Sequence, residues 1–228
     1  MARADYQSSL EELRDDVLYM SEVVAERLRT GLDALDRKDE RLARDVIEGD
    51  DEINEMYLEL EGDCVDLIAL QQPVASDLRF IAASFKIITD LERIGDLAVN
   101  LGGYTLDAQR DLFPDVDMQR IGMTTLDMLE DAMEAYANED IEACYAVAER
   151  DDDVDAMCEA ASELVVRDLI ESDYLATELD DDEEIESLMQ DVSRLLLTIR
   201  DLERVGDHAV NIAARTLYMA ENNDELLY

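Results

Sequence analysis

Two nearly identical acidic motifs carry the side chains in this sequence that are best suited to chemistry. Residues 90–100 read DLERIGDLAVN and residues 201–211 read DLERVGDHAVN, so nine of the eleven positions match. Residues four apart on a helix share a face, and three such residues in succession span only about 80° of its circumference. The first motif therefore predicts an oxygen-rich ridge of Glu92, Asp96 and Asn100. The repeat predicts an equivalent ridge of Glu203, Asp207 and Asn211.

A weaker acidic echo precedes each motif along the chain, reading EGDDEIN in the first copy and ERDDDVD in the second. A helical hairpin centred on Pro73 in the first copy, and on Leu179 in the second, would bring each echo against its motif. The facing pairs are then Asp50 with Asp96, Asn54 with Glu92, Asp151 with Asp207, and Asp155 with Glu203. The echo and the motif are thus predicted to converge in both copies.

Such a convergence of oxygen ligands on two facing helices indicates a site for hard cations. Mg²⁺, Ca²⁺, Mn²⁺ and iron suit carboxylate and amide oxygens, whereas a thiolate zinc site needs cysteines. The alternative is a solvated charged face in which the carboxylates pair with Arg93 and Arg204. Duplication of the whole pattern favours the metal site. The only histidine, His208, has Leu97 as its counterpart, and we interpret it as an exposed helix residue rather than a ligand.

The elements that must position these residues are all helices. Apolar residues recur at helical spacing, and the chain contains only 8 Gly and 2 Pro. Three helices are predicted in each copy, at about residues 5–36, 40–71, 74–104, 118–137, 140–172 and 183–220. Long helices joined by short turns pack antiparallel. We therefore predict an all-α fold of two tandem three-helix bundles, with repeat 1 over residues 1–110, repeat 2 over residues 115–228 and a linker around 111–115.

The charge of the chain excludes several classes of partner. Its 60 acidic and 19 basic residues give a formal net charge of −41, which leaves no basic footprint for direct nucleic-acid binding. Attraction to an anionic bilayer is excluded on the same ground. No apolar run is long enough to span a membrane, and the first residues form no apolar signal region. We therefore expect a cytoplasmic protein without membrane insertion.

The balance between lysine and arginine bears on the source of the protein. Only Lys38 and Lys86 are lysines, and the other 17 basic residues are arginines. An acidic, lysine-poor surface suits a salt-rich cytoplasm, where screening removes the self-repulsion of the fold. We expect a halophilic archaeal source. The three cysteines show no CxxC spacing and are expected to be reduced and buried.

The segment QQPVASDLR at residues 71–79, followed by DLERIGD at 90–96 and its repeat DLERVGDHA at 201–209, closely resembles the signature of the PhoU family. The resemblance spans roughly residues 10–218 and implies two three-helix bundles. It also implies a multinuclear metal cluster, typically iron and in some members zinc, bound through E(D)xxxD motifs. Those motifs match Glu92/Asp96, Glu203/Asp207 and Asp151/Asp155. The chain departs from the pattern at Asn54, where the family has an acid.

The resemblance further implies a negative regulator of phosphate uptake and phosphate-responsive signalling, not an enzyme. Such a regulator acts at the cytoplasmic face of a phosphate ABC transporter through the ATPase subunit. Two alternatives remain open, a purely structural helical scaffold and a carboxylate-bridged metalloenzyme. The second is disfavoured because the sequence shows no phosphate-binding loop and no nucleophile motif. A homodimer is also left open.

Overall fold

The computed structural model describes residues 2–71, 73–108, 116–171 and 182–227, and every regular element in them is helical. The α-helices are α1 (Ala2–Arg37), α2 (Glu40–Glu48), α3 (Asp50–Gln71), α4 (Ala75–Asp107), α5 (Met118–Asn138), α6 (Ile141–Glu171) and α7 (Asp182–Glu221). A short 3₁₀ helix, Glu225–Leu227, follows α7. The all-α prediction is confirmed. The predicted linker at 111–115 and the predicted turn at Leu179 lie outside the described residues.

The second predicted helix is divided in two at Gly49. Gly49 follows α2 with a backbone φ of −86° and ψ of 2°, which ends the helical path before α3 begins at Asp50. The Arg27 guanidinium fills the space beside it, donating to the Asp45 carbonyl oxygen at 3.0 Å and to a Glu52 carboxylate oxygen at 3.0 Å. A Cβ at residue 49 would lie 1.5 Å from Arg27 Nη1, so a larger residue there would displace the guanidinium from this position. The break therefore lies beside a tertiary contact with α1.

The α-helices of the described ranges form two bundles that share one core. In the first bundle α1, α2 and α3 pack against α4, and in the second α5 and α6 pack against α7. The apolar faces of α4 and α7 are fully buried at Leu91, Ile94, Leu202 and Val205, in a single hydrophobic cluster that extends through both bundles. Two tandem three-helix bundles are thus confirmed. In the first bundle α2 and α3 together occupy the range of one predicted helix.

The long helices α4 and α7 lie side by side at the centre of the molecule and run antiparallel. Asp90, in the first half of α4, contacts Asn211 in the last part of α7. Tyr104, near the end of α4, contacts Asp201 in the middle of α7. The two acidic motifs consequently cross each other near the centre of the molecule. Of the helices in the described part of the chain, none is both long and apolar enough to cross a membrane.

Candidate metal centres

A glycine in each acidic motif sets how closely the echo helix approaches the motif helix. A Cβ added at Gly95 on α4 would meet Ile53 Cδ1 of α3 at 3.1 Å, and Ile53 is fully buried. A Cβ added at Gly206 on α7 would meet Asp151 Oδ1 of α6 at 3.2 Å. The missing side chain therefore lets each echo helix lie directly against the acidic ridge. The spacing argument overlooked these glycines, although their repetition in the motif was a visible signal.

Replacing Gly95 by alanine is expected to destabilise the protein, and the same change at Gly62 is expected to stabilise it. Alanine is favoured over glycine within a helix by about 1 kcal/mol. At Gly95 this gain is outweighed, because overpacking against a fully buried side chain typically costs about 1–3 kcal/mol. A methyl group added at Gly62 on α3 would have no atom within 4 Å, so this position serves as the matched control. Urea unfolding measures the free energy of unfolding of both variants. Changes of the same sign in the two variants would contradict the close approach of α3 to α4 at Gly95.

The first cluster brings together three of the predicted ligands, Asp50 of α3 with Glu92 and Asp96 of α4. Burial raises the pKa of Glu92, and the charges of Asp96 and Asp50 raise it further. The pKa of Asp96 is likewise raised by burial and then by Asp50. The Asn54 amide donates to Asp50 Oδ2 at 2.9 Å, so the residue that departs from the acidic pattern holds a cluster carboxylate in place. Arg93 partly compensates the charge, with Nε 3.5 Å from Glu92 and Nη1 4.0 Å from Asp96.

The second cluster combines Asp151 and Asp155 of α6 with Glu203 and Asp207 of α7. Burial raises the pKa of Asp151 to about 6, with further contributions from the charges of Asp155, Asp207, Asp152 and Glu203. Burial followed by the charge of Asp155 also raises the pKa of both α7 carboxylates. Asp151 Oδ1 is buried and has no hydrogen-bond partner. Arg204 forms its ion pair outside the cluster, with Nη1 3.4 Å from Asp201 Oδ1, although its charge still lowers the pKa of Asp207.

The second cluster is therefore a concentration of negative charge that neighbouring basic groups offset only in part, by lowering the pKa of Asp207 and of Glu203. Within the described ranges no basic side chain forms an ion pair with its four acids. A buried carboxylate oxygen without a donor is unfavourable, because the lost hydration is not replaced. Each group supplies a hard oxygen ligand, so the donor set fits a divalent or trivalent cation. In the part of the chain that the structure describes, however, no three acidic, histidine or cysteine side chains converge into a closed ligand set.

The two asparagines that end the predicted ridges lie at the contact between the bundles. Asn100 Nδ2 donates to Asp201 Oδ2 at 3.0 Å, and Asn211 Nδ2 donates to Asp90 Oδ1 at 3.3 Å. Their contacts in the structure are thus with the first residue of the opposite motif, not with the carboxylates of their own cluster. These repeat-related contacts join α4 to α7. The metal role of the asparagines stays a prediction, and the repeated aspartates at 90 and 201 are structural residues that the spacing argument missed.

His208 also lies at this contact, and its interpretation as an exposed residue is wrong. Its Nδ1 is 2.8 Å from Asp90 Oδ1, and only 16% of its side chain is exposed. The counterpart Leu97 is buried, which shows that this helix position faces inwards in both repeats. The charge of His208 lowers the pKa of Glu92 in one cluster and of Asp207 in the other. The imidazole therefore lies between the two acidic clusters.

Comparison with known proteins places this architecture in a family. The family model described as the PhoU domain matches residues 17–105 and 118–216. A Clostridium acetobutylicum protein named phosphate-specific transport system accessory protein PhoU homolog is 32% identical over 222 residues, which cover 96% of this chain and 95% of that protein. The Escherichia coli phosphate-specific transport system accessory protein PhoU is 32% identical over 221 residues, which cover 96% and 86% respectively.

Solved structures agree with the sequence comparisons. The crystal structure of PhoU from Pseudomonas aeruginosa has a TM-score of 0.85 at 31% identity and covers 96% of this chain and 100% of its own. The crystal structure of the phosphate transport system regulatory protein PhoU from Streptococcus pneumoniae has a TM-score of 0.83 at 26% identity and covers 96% and 98%. Two tandem matches to one domain, and similarity along nearly the whole chain, show that this protein belongs to the PhoU family.

Proposed function

We propose that this chain is a metal-binding negative regulator of phosphate uptake and phosphate-responsive signalling. Its proposed site of action is the cytoplasmic face of a phosphate ABC transporter, through the ATPase subunit. The relatives named as phosphate-specific transport system accessory proteins support the link to phosphate transport. The observation that carries the metal-binding part is the second cluster, in which Asp151 keeps an unpaired buried oxygen among three other acids.

The residues proposed to hold metal are those of the two clusters. Asp50, Glu92 and Asp96 would do so in the first repeat, and Asp151, Asp155, Glu203 and Asp207 in the second. The resemblance to the family makes a multinuclear iron cluster the leading choice, with zinc, manganese, magnesium or calcium as alternatives. Positive charge there would offset the mutual repulsion of the carboxylates and link the two helices that carry them. Part of that charge is already supplied by Arg93 in the first cluster and by Arg204 in both clusters.

The regulatory function is preferred over the two alternatives for separate reasons. A scaffold has no need of a buried unpaired carboxylate, whose desolvation weakens the fold. A metalloenzyme would need, in addition to its metal ligands, a general acid, a base or a nucleophile beside the metal. Burial raises the pKa of the Cys158 thiol, beside the second cluster, to about 12, which leaves it an inert thiol. Regulation through contact with a transporter component requires no reacting group.

Deleting the gene is expected to raise phosphate uptake or polyphosphate under phosphate-replete conditions, and the wild-type gene is expected to reverse that rise. A Glu203→Ala/Asp207→Ala variant should fail to reverse it, because it lacks two ligands of the second cluster. The matched control is Asp153→Ala/Glu159→Ala, which removes the same charge from exposed positions of α6. Metal analysis of the purified proteins should show a lower metal content in the first variant only.

The transporter ATPase should be recovered with the wild-type protein and with the control, and recovered less with the cluster variant. Equal metal content in all three proteins would reject the second cluster as a metal site. Unchanged phosphate handling in the deletion strain, together with no transporter subunit in the pull-down, would mean that this family member has another target.

A further inference from the structure

The turn ends of the two hairpins carry exposed apolar side chains at equivalent positions of the repeats. Residues of α3 and α6 correspond with the offset of 101 seen in the acidic echoes, and those of α4 and α7 with the offset of 111 seen in the motifs. We define the first tip as Val65, Val74 and Leu78 and the second tip as Val166, Ile185 and Met189. These six side chains form three equivalent pairs and are between 40% and 63% exposed.

Equivalence separates the tips from two other exposed apolar residues on the same helices. Leu58 on α3 corresponds to Glu159, and Leu197 on α7 corresponds to Lys86, so neither of these is repeated as an apolar residue. The core at the same ends is provided by other side chains, such as Leu67 in the first hairpin and Leu188 in the second, which are buried. Exposed apolar side chains that recur at equivalent positions and that the core does not use favour a binding surface over scattered single residues.

The antiparallel packing of α4 and α7 places the tips at opposite ends of the molecule. The helices cross near Gly95 and Gly206, and each tip begins some 21 residues before the crossing. At a rise of about 1.5 Å per residue, each tip lies about 30 Å from the crossing and the two are on the order of 60 Å apart. They cannot form one continuous patch, so they are two separate copies of one docking surface.

The charge around the tips selects the kind of partner. Asp63 and Asp66 are exposed beside the first tip, and Glu163 and Glu186 lie with the exposed Arg167 beside the second, so both rims keep a net negative charge. Acidic side chains surround Asp63. Its pKa is raised, first by partial burial and then by the charges of these neighbours. A second copy of this chain would set one acidic rim against another, and an anionic bilayer would be repelled in the same way. A protein surface with an apolar centre and a basic rim satisfies both features.

We propose that each tip docks one copy of a partner protein that presents an apolar surface ringed by arginine and lysine, so that one chain bridges two copies. This deepens the proposed function, on which it rests, by assigning the surfaces through which the transporter ATPase is held. The acidic clusters at the crossing lie between the two docking surfaces. When the two partner copies are held in one assembly, two-point attachment also strengthens the interaction, because the second contact then forms at a high effective concentration.

The test uses the purified full-length chain and the purified ATPase subunit, at the lowest salt that keeps the chain folded. Sedimentation analysis should show two ATPase subunits per wild-type chain. A Val74→Ser/Leu78→Ser variant and an Ile185→Ser/Met189→Ser variant should each bind one subunit. The variant with all four substitutions should bind at least tenfold more weakly. Leu58→Ser is the control and should bind two subunits, because it removes an exposed apolar residue that lies outside both tips.

The outcomes separate this proposal from the function on which it rests. A complex of one subunit per chain, or wild-type affinity in the variant with four substitutions, would overturn the tip assignment and leave the ATPase as partner. No binding by the wild-type chain would overturn the ATPase as partner, and the proposal with it. Helical signal recorded for every variant shows that loss of binding is not loss of folding.

Discussion

Diluting the salt from molar to tens of millimolar in the presence of a chelator is expected to abolish most of the helical circular-dichroism signal. A formal charge of −41 on 228 residues repels itself, and the range of that repulsion grows as screening is removed. The Debye length rises from about 3 Å at 1 M salt to about 30 Å at 0.01 M. Acids that are far apart on the surface then act on one another. The acidic clusters add short-range repulsion at the crossing of α4 and α7.

Three additions distinguish general screening from specific cation binding. Returning molar KCl should restore the helical signal through screening, whereas sucrose at matched osmolarity should restore much less. Millimolar Mg²⁺ or Mn²⁺ should restore the signal at an ionic strength where KCl does not, if the clusters bind cations. A protein that keeps its full signal at low salt with chelator would contradict the expectation of a salt-rich cytoplasm as its working environment. The bacterial relatives leave that source a prediction.

The repeated motif allowed the helices and the convergence of the acids to be predicted, because both follow from local periodicity and from hairpin register. Asp50 and Asp96 lie near each other as the hairpin centred on Pro73 requires, and Asp155 lies near Glu203 as the second hairpin requires. The hairpin register could be predicted without knowing how the two bundles pack against each other. Their roles as metal ligands remain a prediction, because the donor set fits a cation but does not close around one in the described residues.

What could not be predicted depends on contacts between helices that are far apart in sequence. The end of α2 at Gly49 is occupied by Arg27 of α1, a tertiary contact that periodicity does not encode. Asn100 follows the acidic ridge by spacing, yet its partner Asp201 is defined by the antiparallel packing of α4 on α7. The inward position of His208 could have been predicted from the sequence, because its counterpart Leu97 has the spacing of a core residue. A buried leucine in one repeat predicts an inward-facing residue in the other.

Replacing Asp151 by asparagine is expected to stabilise the metal-free protein and to destabilise the metal-loaded protein relative to wild type. In the absence of metal the substitution removes one of four mutually repelling charges and supplies an amide donor next to three acids. A gain of about 1 kcal/mol corresponds to about 2–4 °C in Tm for a chain of this size. With metal the variant lacks a ligand charge. Wild type held at 100 times the Kd gains about 2.7 kcal/mol per site, and the variant should lose most of that gain at the second cluster.

The metal-free advantage of the variant should also depend on pH. The pKa of Asp151 is raised to about 6 in the folded protein from an ordinary value of 3.8. Between these values the folded state binds more protons than the unfolded state, so wild type gains stability as the pH falls through this window. The deficit of wild type relative to Asp151→Asn is therefore complete above pH 6 and disappears near pH 4. Thermal unfolding in chelator at pH 4, 5, 6 and 7 measures it.

Asp153→Asn provides the control for this sign reversal, because it removes the same charge from an exposed position two residues away on α6. It should shift Tm slightly upwards with and without metal, as a general reduction of negative charge does. A solvated charged face predicts the same behaviour for Asp151→Asn, with a higher Tm in both states. A metal centre predicts that the order of wild type and Asp151→Asn reverses when metal is added. The crossing of the two melting temperatures therefore decides whether the unpaired oxygen of Asp151 is a ligand or only a buried charge.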